Sequence, residues 1–278
     1  MQSSPKSGAK RHGLRWLVIL LIPLAVFYLA GFLYLWIWGD GVVFDLQPPS
    51  YIEKDCAFIE GKIGKRIAYR TALNPESPYW MLYSHGSSGD LGQLDTHVEA
   101  HRRFGFNVII YDYPGVGLST GPVSEQGCYE TIDAVYQFLH NEQKVPQNRI
   151  LLYGRSIGSG PTLYLAQKED VGGVVLVSPF TSALGVAFLT SIFPFEIFPN
   201  DRRIGSARSS MLILHGHQDE NIPVHDATKL HRLAPSGTQL QLIDGFGHTD
   251  IHRAPGYWQA INEFVNGLLK TDATPVAR

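Results

Sequence analysis

The chain has 278 residues, 44% of them hydrophobic, enough for one sizeable core. A formal net charge of -2 and the lack of long basic runs argue against nucleic acid as a partner. Neither a phosphate-loop motif nor a strand-linked G-x-G-x-x-G occurs, so no nucleotide cofactor is expected.

Residues 1–15 form a basic tail carrying Lys6, Lys10, Arg11 and Arg15. Residues 16–38 are predicted to be a transmembrane helix, because the stretch from 17 to 38 holds no charged side chain. At 1.5 Å rise per residue, about 22 such residues cross a bilayer, and Pro23 and Gly31 are tolerable within them. Trp16 marks one edge and Tyr34, Trp36 and Trp38 the other, as interfacial aromatics do. A cleaved signal peptide would be shorter and end in a small-x-small site, whereas this segment ends Trp36-Ile37-Trp38. Basic residues precede the span, and Asp40 and Asp45 follow it. The N-terminus is therefore expected in the cytoplasm and the bulk of the chain outside it, in a periplasmic or lumenal space.

Residues 39–50 read as a linker rich in Gly, Asp and Pro, 51–270 as one α/β domain, and 271–278 as a C-terminal tail. The domain opens with strands at 55–60 and 66–72, joined by Gly61-Lys62-Ile63-Gly64 in a hairpin. Strands follow at 79–84, 107–113, 149–154, 173–177, 211–215 and 239–243. Helices are predicted near 91–103, over 124–141, after Ser156, over 226–233 and over 257–269. Antiparallel opening strands followed by strand–helix repeats imply a mostly parallel sheet covered by helices on both faces. Such sheets carry their sites at the carboxyl ends of the strands. Cys56 and Cys128 form no disulfide framework; two separate buried thiols is the preferred reading, with a single bridge between them as the alternative in an oxidising space.

The segment from Ile150 to Gly160 is the most informative in the domain. An apolar strand runs into Gly154-Arg155-Ser156-Ile157-Gly158 and then into a small-residue helix start, the sequence form of a nucleophile elbow. The chain holds a second G-x-S-x-G around Ser119, but that serine follows Tyr113-Pro114-Gly115 and precedes Pro122, so it reads as a loop serine. Acyl transfer also needs a base and an acid that orients it. Asp219 lies just past the strand at 211–215, and His248 just past the strand at 239–243. The order Ser, Asp, His is that of α/β-hydrolases. Glu220, Asp244 and Asp250 are the competing acids; Asp219 is preferred because it ends the penultimate strand. Backbone N–H groups of Ile157 and of Ser87, in His85-Gly86-Ser87-Ser88-Gly89, are the candidate oxyanion donors. His97 and His101 stand at i and i+4 without the H-E-x-x-H pattern, and with His252 they read as surface histidines, so no metal is expected. His215 and His217 are expected to shape the Asp219 loop.

These motifs, with Tyr111-Asp112-Tyr113-Pro114-Gly115 and Gly247-His248-x-Asp250-Ile251, make residues 55–268 similar to the α/β-hydrolase-domain family. The chain most resembles its branch of small membrane-associated serine hydrolases, which includes protein depalmitoylases. The resemblance implies an α/β-hydrolase fold, Ser156 as nucleophile, His248 as base, Asp219 as its orienter, and oxyanion amides at Ser87 and Ile157. It also makes Asp112-Tyr113-Pro114-Gly115 a structural signature. Animal members attach through a lipidated, cysteine-rich N-terminus; here no cysteine precedes Cys56 and a membrane span takes that place. The expectation is therefore hydrolysis of a carboxylic ester or thioester, lipid-derived substrates included, rather than protein depalmitoylation in particular. About thirty residues between Pro179 and Met211, rich in Phe and Leu, are expected either to wall an acyl site near the bilayer or to pack a helix onto the sheet. The rivals are a serine aminopeptidase-like peptidase, for which no amine-binding acid is identifiable, and a silent membrane-anchored binding protein. A histidine base must be neutral, so activity is expected to fall below about pH 6–7.

Overall fold

The structure, a computed structural model, describes residues 8–61, 65–188 and 194–272. The hairpin turn at 62–64, Leu189, Ile192 and Phe193 of the apolar insert, Lys6, and residues 273–278 of the tail lie outside the described residues.

Eight strands form one sheet: β1 Ala57–Glu60, β2 Arg66–Ala72, β3 Trp80–Ser84, β4 Asn107–Tyr111, β5 Ile150–Arg155, β6 Gly173–Val177, β7 Met211–Gly216 and β8 Gln239–Ile243. Their spatial order is β1-β2-β4-β3-β5-β6-β7-β8. β1 and β2 are antiparallel to each other, β2 is antiparallel to β4, and all later pairings are parallel. β4 and β6 are buried along their whole length, which is why Asn107-Val108-Ile109-Ile110-Tyr111 and Gly173-Val174-Val175-Leu176-Val177 show no polar alternation. β8 lies at the edge and is mostly exposed or half-buried.

The helices are α1 Gly8–Val42, α2 Asp95–Phe104, α3 Glu125–Gln137, α4 Ser159–Lys168, α5 Ala183–Phe188, α6 Asn200–Arg203, α7 Val224–Leu233 and α8 Pro255–Asp272. The Ser124 hydroxyl accepts the Gly127 N–H (3.0 Å) and caps the start of α3. Two apolar clusters fill the space on the two faces of the sheet, one around Ile109, Leu152 and Leu176, the other around Met81, Leu151 and Val175. The chain leaves β3 toward β4 on one side and returns to β5 on the other, so a crevice opens at the carboxyl ends of β3 and β5.

α1 contains a stretch, Ile19–Ile37, long and apolar enough to cross a membrane. Its side chains face outward, Phe27 being 79% and Leu20 71% exposed. The helix runs on to Val42, past the expected boundary at residue 38. Gly39 and Asp40 read as linker by composition, yet Gly39 lets the helix lie against the body, where a side-chain carbon would stand 3.2 Å from Ile197 Cδ1. Leu35 is buried, and the Phe195 ring packs edge-on to Phe32 and Trp36, each at 5.5 Å. The insert thus divides its apolar residues: Phe180, Leu184, Ile197 and Phe198 enter the core, while Phe195 meets α1.

Three expectations are corrected. His101 is fully buried, not solvent-facing, because α2 turns it onto Tyr153 and Tyr257. His252 is half-buried, its ring 4.5 Å from that of His97. Cys128 is buried in the core as expected but Cys56 is only half-buried.

Candidate active site

β5 ends at Arg155, and Ser156–Gly158 form a tight turn before α4. Ser156 has φ of +54°, a left-handed conformation that costs a residue with a Cβ about 1 kcal/mol or more. The turn tolerates this because its neighbours leave no alternative path: a side-chain carbon at Gly158 would overlap the Ser84 carbonyl oxygen at the end of β3. The Ser159 hydroxyl donates to the Ser156 carbonyl (2.7 Å) and itself accepts the Asn200 amide (3.0 Å). Ile157 is buried, and Ser156 remains partly exposed.

The loop after β3 lies against this turn. A side-chain carbon at Gly86 would stand 3.7 Å from Ser156 Cβ, in ordinary contact with it, so the loop after β3 and the Ser156 turn lie side by side here. Ser87 follows in the same loop, half-buried.

At the other end of the site, His248 Nδ1 lies 2.9 and 3.1 Å from the two Asp219 oxygens. Asp219 also accepts the N–H groups of Ile222 (2.8 Å) and Asn221 (3.0 Å), which fix the carboxylate in the loop after β7. Its side chain is fully buried. Burial pushes that carboxyl up, but the hydrogen bonds from His248 and Ile222 outweigh it and hold it below the usual carboxylate range. His215 lies beneath, with Nε2 2.9 Å from the Ile222 carbonyl and 3.5 Å from Asp219. Burial pushes His215 down, and its Nε2 donates to the Ile222 carbonyl. His217 pairs with Asp244 across the strand ends.

The competing acids are occupied elsewhere. Asp250 accepts the Gly247 N–H (2.7 Å), Glu220 accepts the His248 N–H (3.3 Å), and Asp244 holds His217. The second serine motif is structural: Ser119 donates to the Asp112 carbonyl (2.8 Å) and accepts the Ala68 N–H (2.9 Å), tying β2 to the turn after β4. No hydrogen bond joins the Ser156 hydroxyl to His248 among the described residues, and such contacts commonly tighten only when substrate is bound.

Comparison with known proteins agrees with this architecture. A family profile described as Chlamydia CHLPS protein (DUF818) matches residues 67–171. Alpha/beta hydrolase domain-containing protein 17C of Mus musculus is 35% identical over 195 residues, 69% of this chain and 61% of that protein. Alpha/beta hydrolase domain-containing protein 17B of Xenopus tropicalis is 33% identical over 220 residues, 77% of this chain and 76% of its own length. The chain belongs to the alpha/beta hydrolase domain-containing protein 17 family. It spans about three fifths of the length of the 17C proteins it matches (61% for the mouse protein). The fold recurs in the Pyrococcus furiosus esterase Pf2001, at TM-score 0.64 and 16% identity over 81% of this chain and 98% of that one. It recurs also in an esterase from Exiguobacterium antarcticum, at TM-score 0.61 and 17% identity over 76% and 99% of the two chains.

In this member of the family, sequence reasoning overlooked Arg155. Its guanidinium donates to the His248 carbonyl (2.9 Å) and so joins the β5 turn to the loop after β8. The signal was a charged side chain closing an otherwise apolar buried strand. Also overlooked was the carboxylate of Asp90, buried within the loop after β3; Asp112, already marked as part of a structural signature, is buried beside it.

Proposed function

We propose that this chain is a membrane-anchored serine hydrolase that cleaves carboxylic esters or thioesters through an acyl-enzyme. The observation that carries the reading is Ser156 in its left-handed turn at the carboxyl end of β5, with the His248–Asp219 pair in the loops of β8 and β7 on the same sheet edge. Ser156 Oγ attacks the acyl carbon and passes its proton to His248 Nε2. Asp219 holds Nδ1–H, which fixes the tautomer and stabilises the imidazolium. The oxygen of the tetrahedral intermediate is met by the N–H groups of Ile157 and Ser87, each worth about 10²–10³ in rate. His248 returns the proton to the departing alcohol or thiol, and water then repeats the sequence to free the acid.

The Ile19–Ile37 stretch of α1 supports a single-pass anchor. The basic residues before it and Asp45 after it support a cytoplasmic N-terminus and an extracytoplasmic body. Apolar packing of Phe195 on α1 supports a substrate with an acyl chain, delivered close to the bilayer. A panel of p-nitrophenyl esters, acyl thioesters and aminoacyl arylamides tests the substrate class. Esters or thioesters of increasing chain length should be cleaved fastest; faster cleavage of the arylamides would replace this reading with a peptidase.

A further inference from the structure

The segment between α1 and β1 is bonded to the loop after β3 at several successive points. The Asp45 N–H donates to the Ser87 carbonyl (3.3 Å), and Asp45 forms a parallel bridge with Ser88. Phe44, buried, packs edge-on to Tyr113 at 5.5 Å, and the Tyr113 hydroxyl donates to the His85 carbonyl (2.7 Å). The Ser50 N–H donates to Asp90 Oδ2 (2.7 Å), and the Ser50 hydroxyl to Oδ1. Tyr51 donates to Asp112 Oδ2 (2.5 Å), whose other oxygen accepts the Leu91 N–H (3.1 Å). His85, Ser87, Asp90 and Leu91 are therefore all held, directly or through one buried group, by residues 44–51.

We propose that this segment is a positioning strap for the oxyanion site: it fixes the Ser87 N–H where negative charge develops on the substrate oxygen. The inference rests on the serine-hydrolase reading above. Its physical reason lies in the loop itself. The Ser87 N–H belongs to the peptide that follows Gly86, a residue with no side chain to restrain it, and Gly89 adds a second flexible point at φ of +89°. The carbonyls on either side of that peptide, those of His85 and Ser87, are the ones that Tyr113 and Asp45 hold. The oxygen of that peptide, on Gly86, also lies 2.7 Å from His85 Nδ1, so the strap acts on its two neighbours: without the bonds to the His85 and Ser87 carbonyls the His85–Ser87 turn could tilt as a unit and aim the Ser87 N–H away from the substrate. A donor displaced by about 1 Å can lose up to 10²-fold in rate. Because Asp45 lies three residues beyond the end of α1 at Val42, the membrane helix and the oxyanion loop are mechanically joined.

The test uses the full chain in detergent micelles with a p-nitrophenyl ester. Asp45→Pro removes the N–H that reaches Ser87, and Ser50→Ala removes the hydroxyl that reaches Asp90. Each should lower kcat about tenfold, leave KM within about twofold, and weaken inhibition by an alkyl trifluoromethyl ketone by the same factor as kcat, since that adduct carries the oxyanion. Leu46→Ala, at an exposed position in the same segment, should keep the parent kcat. Unchanged kcat and ketone affinity in a folded strap variant, or an equal loss in Leu46→Ala, would overturn the proposal. A lowered melting temperature with intact ketone affinity would reduce the strap to a structural tie and overturn it too. Should Asp45→Pro not fold, Ser50→Ala decides. Full activity in Ser156→Ala would instead refute the hydrolase mechanism, so the two failures are distinguishable.

Discussion

Acidification from pH 7 to pH 5 should destabilise this fold through His101. That imidazole is fully buried, with Nδ1 2.7 Å from the His97 carbonyl and Nε2 3.2 Å from the Tyr257 hydroxyl. Tyr83, Tyr153 and Trp258 surround the ring. Burial pushes it down to about 4, only partly opposed by its bond to the His97 carbonyl. The unfolded chain, with an imidazole near 6.5, therefore binds the proton first. Stability is intact above about 6.5, falls as the pH drops from there toward about 4, and levels off below. Integrating the two titrations gives a loss of about 2 kcal/mol between pH 7 and pH 5. Urea melts of the chain in micelles at pH 7, 6 and 5 measure it, with His101→Gln as the non-titrating comparison. His97, only half-buried and pushed down to about 4 by burial and then by His252 and Arg155, adds a share that solvent screening reduces, so the variant should keep a shallower slope. A parent protein equally stable at pH 7 and 5, or a variant with an unchanged slope, would refute the reasoning.

Four further outcomes follow from the site and the motif beside it. Asp219→Asn should lower kcat by about 10³–10⁴ in steady-state ester hydrolysis with little change in KM, because the amide NH2 favours the wrong His248 tautomer and its neutral oxygen does not stabilise the imidazolium. The lowered Asp219 carboxyl adds stability that is present above the usual carboxylate range near 4 and is lost only as the pH falls through its depressed folded value, measurable as a second, more acidic drop in the melts. Ser119→Ala should keep ester hydrolysis while losing about 1–3 kcal/mol in the same melts, since the buried Ala68 N–H loses its acceptor. Gly158→Ala should abolish hydrolysis even where circular dichroism shows a folded chain, because its methyl group overlaps the Ser84 carbonyl and must displace the Ser156 turn.

The sheet was legible because its buried strands are uninterrupted apolar runs closed by turn residues. The strand at 173–177 and that at 239–243 were read with their observed ends. Strand ends near the site drifted by a residue: β5 includes Arg155 because that side chain leaves the sheet toward the His248 loop, an interaction between distant segments. Asp219 could be preferred over its rivals from its place after β7; the bond that occupies Glu220 is tertiary and left no mark in local pattern, whereas Asp250 turns back on Gly247 only three residues away. The burial of His101 was invisible for a related reason. Polar on a helix and flanked by His97 and Arg102, it reads as surface until α8 is packed over it through Tyr257 and Trp258. The strap at 44–51 resembles a linker in composition; its role rests on backbone groups and on carboxylates forty to sixty residues away.

The central claim is that Ser156 forms the acyl-enzyme. Full-length protein and its Ser156→Ala and Ser119→Ala variants, treated with a fluorophosphonate probe and analysed by peptide mass spectrometry, test it most directly. Labelling on Ser156, lost in Ser156→Ala and retained in Ser119→Ala together with ester hydrolysis, is the predicted result. Labelling and hydrolysis that persist in Ser156→Ala would contradict the account.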